Sequence, residues 1–303
     1  MHQGKINREA YTEILKKRIG EVEEKIYRFL PTEEGYQSTV LAAMNYTMQA
    51  GGKRIRPMMM YLTYQMFGGE DALIERFMAA IEMIHTYSLI HDDLPALDND
   101  DYRRGRPTAH KVYGEDMAIL AGDGLLNYAF EVAAGSFAGH LGDERIAKAL
   151  MILTKKPGIY GMIGGQTADV ELSGKQLNEE QLSFIYENKT GALIEAAMMI
   201  GAVLGGAGEA EVSKVEQAAK RIGMAFQIQD DILDVEGDQE KLGKPVGSDE
   251  KNAKATYVAI YGMDKARAQV EALSLEAKEL LMTLGHPCEE LLALIQWMIY
   301  RQL

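Results

Sequence analysis

The chain of 303 residues holds one cysteine, Cys288, so neither a disulfide framework nor a thiolate metal site can be built from it, and a reducing compartment is implied. Period-two runs of β-branched residues are scarce, which leaves little material for strands. The first nine residues lack the apolar core that a signal peptide needs. The longest apolar run, 191–206, is broken by Glu195 and falls short of the roughly 18 residues of a spanning helix. It reads as a buried core helix, and no membrane span is expected. Positive charge is also in deficit: the formal net charge of −13 disfavours nucleic acid as the main partner, because phosphate backbones select basic surfaces. A cytoplasmic location is the expectation.

What is present fits a helical protein. Hydrophobic residues make up 47% and charged residues 25%, enough for a sizeable core under a polar surface. Ala, Leu, Met, Glu and Lys dominate, and all are good helix formers. No low-complexity segment or long linker divides the chain, so one domain over 1–303 is expected. The periodicity predicts helices near 5–30, 36–50, 58–67, 72–91, 117–137, 143–154, 158–169, 191–204 and 209–235, with three more segments beyond a polar loop at 236–251. Asn178 is a cap candidate for a helix start. The 117–137 helix is rich in Gly and Ala and contains Ala121-Gly122-Asp123, and its small residues would let another helix approach closely. About a dozen helices and no convincing strand result.

The chemistry concentrates in residues 92–107, where five Asp and one Asn occupy ten positions and a basic cluster follows at once. An apolar helical pattern, 81–91, leads into it. Carboxylates this close cannot all ionise cheaply without cations between them. An all-oxygen donor set suits Mg2+, which keeps waters and bridges to substrate phosphates. A second segment, Gln229-Asp230-Asp231-Ile232-Leu233-Asp234, repeats the Asp pair 138 positions later (230 − 92). There Asp230 and Asp234 lie four apart, hence on one helical face. In the first segment Asp92 and Asp98 lie six apart, and Pro95 is expected to bend or end the helix so that Asp98 swings back toward Asp92. A single Asp-rich segment would read as a solvated helix end. Two facing sets can instead hold several Mg2+ ions around one highly charged group, and a diphosphate is the natural candidate. The basic complement is Lys53, Arg54 and Arg56 after a Gly-Gly turn, Arg103, Arg104 and Arg106 after the first acidic segment, and Lys244 and Lys254 after the second.

These motifs together resemble the trans-type (head-to-tail) isoprenyl diphosphate synthases, most of all the bacterial farnesyl diphosphate synthases. The resemblance is carried by 51–57 (GGKRIRP), 84–108 (IHTYSLIHDDLPALDNDDYRRGRPT), Gly164-Gly165-Gln166, Lys189-Thr190-Gly191, 226–234 (FQIQDDILD), Gly243-Lys244 and Lys254-Ala255-Thr256. It implies an all-α, single-domain helical bundle around a central cavity, commonly a homodimer. By matching positions, Asp92, Asp98 and Asp230 are the main Mg2+ ligands, and Asp93, Asp231 and Asp234 bind metal or its waters, three ions in all. Arg103, Lys189, Gln227 and Lys244 would contact the allylic diphosphate or its developing cation, with Lys254 also on the substrate side. Lys53, Arg56, His85 and Arg104 would bind isopentenyl diphosphate. His91 receives no role. Thr190, Gln227 and the Lys189 carbonyl would stabilise a carbocation through oxygen dipoles.

The product implied is (2E,6E)-farnesyl diphosphate, made from isopentenyl diphosphate and dimethylallyl or geranyl diphosphate. Tyr87 and Ser88 stand five and four residues before Asp92 and would form the wall that limits chain length. The alternatives are a geranylgeranyl diphosphate synthase, a terpene cyclase, or a non-catalytic prenyl synthase subunit. A cyclase would not need Lys53, Arg56 and His85, and a non-catalytic subunit would typically lack one Asp segment.

Overall fold

The acidic segment at 92–107 is delivered by a helix buried on almost every side. A computed structural model describes residues 8–236 and 256–300. Contacts divide the chain into two compact units, Met1–Tyr61 with Asp71–Leu150, and Leu62–Glu70 with Met151–Leu303.

The first unit carries α1 (Arg8–Tyr27), α2 (Ser38–Met48), the start of α3 (Ile55–Met66), α4 (Leu73–Asp92), α5 (Ala109–Tyr113), α6 (Glu115–Ala134) and part of α7 (Glu144–Lys155). Its centre is α4, which packs along α6 and carries Phe77, Met78, Ile81, Met83 and Ile84 with no exposed surface. Each such side chain contributes roughly 1.5–3 kcal/mol by leaving water. The small-residue stretch of α6 does what its composition suggests. A Cβ on Gly122 would lie 2.1 Å from His91 Nε2, so any larger residue there would force the His91 ring to move. His91 Nε2 lies 3.2 Å from the Ile119 carbonyl, which gives this histidine a packing role.

The second unit carries α8 (Met162–Leu172), α9 (Glu179–Ile185), a π-helix (Tyr186–Gly191), α10 (Ala192–Gly205), α11 (Glu209–Glu236), α12 (Tyr257–Tyr261), α13 (Met263–Met282) and α14 (Glu289–Ile299). Here α11 is central, packing against α10, α13 and the π-helix. The apolar stretch expected to be a core helix is α10, buried along nearly its whole length. Its Glu195 accepts from Lys156 Nζ, which also donates to Glu216 Oε1 at 2.7 Å, so the buried carboxylate is paired. No helix among the described residues is long and apolar enough to cross a membrane.

Two local features differ from the sequence expectation. Helix α3 starts at Ile55 rather than Met58, because Pro57 in a first turn gives up an N–H that would lack a helical partner anyway. The reading of no strand misses a two-residue antiparallel pair, Tyr102–Arg103 (β1) with Arg106–Pro107 (β2). Its turn has Arg104 at φ 55° and Gly105 at φ 75°, the two left-handed positions of a type I′ hairpin. Asn178 is the cap expected, and makes a full capping box with Gln181.

Candidate functional site

In the first unit the acidic segment begins where α4 stops, at Asp92, three residues before Pro95. The chain then turns back on itself. The Asp98 amide donates to the Asp92 carbonyl at 2.9 Å, and Asn99, at φ 53°, donates to the Leu94 carbonyl at 3.2 Å. The backbones of Asp92 and Asp98 therefore meet despite their six-residue spacing, as Pro95 suggested. Asp92 is half-buried and Asp98 exposed, whereas Asp93 is only 3% exposed. Burial pushes the Asp93 carboxyl up, and Arg103, whose Nε donates to Asp93 Oδ1 at 2.6 Å, opposes that. Arg103 in turn is held protonated against its own burial by Asp93 and Asp100.

The basic residues separate into two kinds. Arg54 points inward, 2% exposed, and is saturated by core acceptors. Arg56 and Arg104 instead form one cationic cluster beside His85. Burial lowers the Arg56 guanidinium to about 10, with Arg104 adding repulsion and Glu82 opposing it. Burial, then Arg56, Arg104, Arg103 and Arg54, hold His85 well below the usual imidazole range, so its ring is neutral. Arg104 donates to the Gly51 carbonyl, and burial lowers its guanidinium too. Lys53 is exposed on the loop between Gly52 and α3. Clustered cations of this kind are an anion site in wait, and a diphosphate matches their number.

Tyr87 lies about one and a half turns before Asp92. It is buried, its ring meets His91 edge-on at 5.8 Å, and its hydroxyl has no hydrogen-bond partner among the described residues. Burial and the Asp92 charge push its hydroxyl up to about 12. Ser88 is half-buried and donates to the His85 carbonyl at 2.8 Å.

In the second unit Asp230 and Asp234 share one face of α11, and Asp231 and Asp234 are both 3% exposed. Asp231 Oδ2 accepts from the Tyr186 hydroxyl at 2.5 Å and from the Tyr257 amide at 2.7 Å. Lys189 Nζ pairs with Asp169 Oδ2 at 2.5 Å, and the Thr190 hydroxyl donates to Gln227 Oε1 at 2.8 Å. Asp169, Tyr186, Lys189, Thr190, Gln227 and Asp231 line one open pocket. Lys189 and Thr190 sit on the π-helix, a wide turn that recurs at functional sites. Gly165 of α8 makes room for it: a Cβ there would fall 2.2 Å from the Lys189 amide nitrogen. Lys244 and Lys254 lie outside the described residues.

No three His, Cys, Asp or Glu side chains among the described residues form a cage for a metal. Mg2+ takes one or two carboxylates and completes its shell with water and substrate phosphate. The all-oxygen donors Asp92 with Asp98, and Asp230 with Asp234, fit it. Sequence reasoning missed Glu82, Asp169 and Tyr186. Only the first carried a signal, as an acid inside an apolar helix that must find a partner.

Against known proteins, the model of the polyprenyl synthetase family matches residues 37–281. A farnesyl diphosphate synthase of Geobacillus stearothermophilus is 46% identical over 263 residues, 85% of this chain and 86% of that protein. A geranylgeranyl diphosphate synthase of Cyanophora paradoxa is 42% identical over 281 residues, 92% of this chain and 93% of that protein. The crystal structure of an FPP/GFPP synthase from Zymomonas mobilis superposes with a TM-score of 0.84 at 30% identity, covering 96% of this chain and 99% of that one.

Proposed function

The chain belongs to the polyprenyl synthetase family, and from that premise we propose that it condenses isopentenyl diphosphate with dimethylallyl or geranyl diphosphate to give (2E,6E)-farnesyl diphosphate. The chain is an all-α, head-to-tail prenyl diphosphate synthase. The family match extends over both compact units, which supports reading 1–303 as one polyprenyl synthetase domain.

In this reading Asp92, Asp98 and Asp230 are the main ligands of Mg2+, and Asp93, Asp231 and Asp234 orient the metal or its waters. When bound, Mg2+ supplies charge stabilisation to the departing pyrophosphate. Arg103 and Lys189 hold the allylic diphosphate, and for Lys189 that means leaving Asp169. Lys244 and Lys254 are assigned to the same task. The allylic C–O bond breaks as pyrophosphate takes the electron pair. The Thr190 and Gln227 oxygens face the resulting cation with their dipoles, and a site closed to water protects it. Isopentenyl diphosphate, held by Lys53, Arg56, His85 and Arg104, gives its π electrons to the new C–C bond. A proton then leaves to the retained pyrophosphate, and no protein nucleophile is used. Because His85 is neutral, it can offer an N–H without adding another positive charge.

The farnesyl product rests on Tyr87, a buried aromatic ring beneath the Asp92 carboxylate. Incubation with isopentenyl and dimethylallyl diphosphates under Mg2+, followed by product sizing, tests it. The wild type should stop at fifteen carbons, a length set by the farnesyl reading, and Tyr87→Ala should run longer; unchanged length in the variant removes Tyr87 from the account. The geranylgeranyl reading is favoured by the relatives of that name, the one at 42% identity among them, and a twenty-carbon wild-type product would establish it. A cytoplasmic homodimer with three Mg2+ ions per site completes the proposal. Sedimentation and metal titration of the purified chain check both counts.

A further inference from the structure

Arg54 stands between two residues assigned to isopentenyl diphosphate, Lys53 and Arg56, yet its side chain goes the other way. Its backbone is left-handed, at φ 48°, a conformation uncommon for a residue with a Cβ. That twist sends the guanidinium into the core, where Nη1 donates to Glu82 Oε1 at 2.7 Å, Nη2 to the Tyr27 hydroxyl and the Met48 carbonyl at 2.7 Å each, and Nε to Glu23 Oε1 at 3.0 Å. Both members of the Arg54–Glu82 pair are shut from water, with side chains 0% and 2% exposed. Glu82 lies on α4, one turn before His85, and its charge also reaches Arg56 and Arg104. Glu82 thus sits at the base of the cationic cluster and fastens the loop to the helix that carries His85.

We propose that Glu82, acting through Arg54, is a positioning residue for isopentenyl diphosphate: the buried pair holds the 51–57 loop in the one conformation that turns Lys53 and Arg56 toward the diphosphate beside His85. The inference rests on the assignment of Lys53, Arg56, His85 and Arg104 to that substrate. Two effects of removing the Glu82 charge oppose each other. A carboxylate near an anion site weakens it, so its loss by field alone would tighten diphosphate binding. Its loss also leaves Arg54 as a buried cation short of its main counter-charge, on a left-handed backbone, so the loop shifts. Breaking a buried, hydrogen-bonded pair outweighs a screened longer-range repulsion, and the position term wins.

The sign of the change in KM therefore decides. In Glu82→Gln, the near-isosteric variant, KM for isopentenyl diphosphate should rise about tenfold or more, while KM for the allylic diphosphate stays within about twofold. Glu23→Gln neutralises a different partner of Arg54 and leaves Glu82 in place, so its KM for isopentenyl diphosphate should stay near wild type. A KM that falls or does not move in Glu82→Gln, or one that rises equally for both substrates, overturns the proposal. Should Glu82→Gln fail to fold, Arg54→Lys carries the same test, since a lysine keeps the charge but cannot span these acceptors. Arg56→Gln separates the two layers of argument. If it raises KM for isopentenyl diphosphate and Glu82→Gln does not, the positioning role alone fails; if neither does, the substrate assignment fails.

Discussion

At the first carboxylate segment the backbone bends to bring Asp92 and Asp98 together, whereas at the second a straight helix does the same for Asp230 and Asp234. The partners of the middle carboxylate differ as well. Asp93 is held by a cation, Arg103, and Asp231 by two neutral donors, the Tyr186 hydroxyl and the Tyr257 amide. A pair of neighbouring carboxylates can therefore be reached by a turn or by helical repeat, but the surrounding groups set how much charge each segment tolerates. The first segment is also the one beside the arginine cluster, so Asp93 anchors Arg103 there while Asp92 and Asp98 are the carboxylates proposed to take metal.

The strongest way to break this comparison is to remove a main ligand from each side. Asp92→Ala and Asp230→Ala should each lower kcat by about 10³-fold, since metal charge stabilisation is worth several kcal/mol and each 1.36 kcal/mol is tenfold in rate. Steady-state turnover under saturating Mg2+ measures it. If one variant keeps turnover within tenfold of wild type, the two segments are not equivalent ligand sets.

A smaller effect separates the middle carboxylates. Asp93→Asn leaves Arg103 without its main counter-charge and should cost about 2–3 kcal/mol of stability, below the full value for a buried pair because Arg103 is partly exposed. Asp231→Asn keeps a carbonyl oxygen for both its donors and should cost about 1 kcal/mol. Urea unfolding of the two variants compares them directly, and a larger loss in Asp231→Asn reverses the interpretation.

The two segments were also unequally legible. Asp230 and Asp234 needed only the helical repeat, and Pro95 was enough to foresee the return of Asp98, because both signals are local. The capping box at Asn178 was readable for the same reason. What stayed hidden depends on partners distant in sequence. Arg54 looks like one more basic residue of its motif until Glu82, 28 positions away, is seen beneath it. The π-helix carrying Lys189 depends on Gly165 passing its backbone, and nothing in residues 186–191 by themselves asks for a wide turn. The β1–β2 pair is too short for a periodicity to register. Lys189 was read as a substrate contact, but its resting partner Asp169 lies 20 positions away.

The smallest expected effect concerns pH, and it belongs to the first segment alone, since residues 226–236 contain no histidine. In the unfolded chain the His85 imidazole binds a proton near pH 6.5. In the fold, burial and the surrounding arginines postpone that protonation to a well lower pH. Between those two points the unfolded state holds more protons, so stability rises with pH there; the contribution is intact above about 6.5 and is lost as pH falls through the window. Wild type should therefore lose more stability than His85→Gln between pH 7 and pH 5. Urea titrations at a series of pH values read the difference. Inorganic pyrophosphate should shrink it, because an anion in the arginine cluster removes the repulsion that keeps the ring neutral. An acid-side loss that persists unchanged in His85→Gln would place its source outside this cluster and leave the two segments alike in this respect.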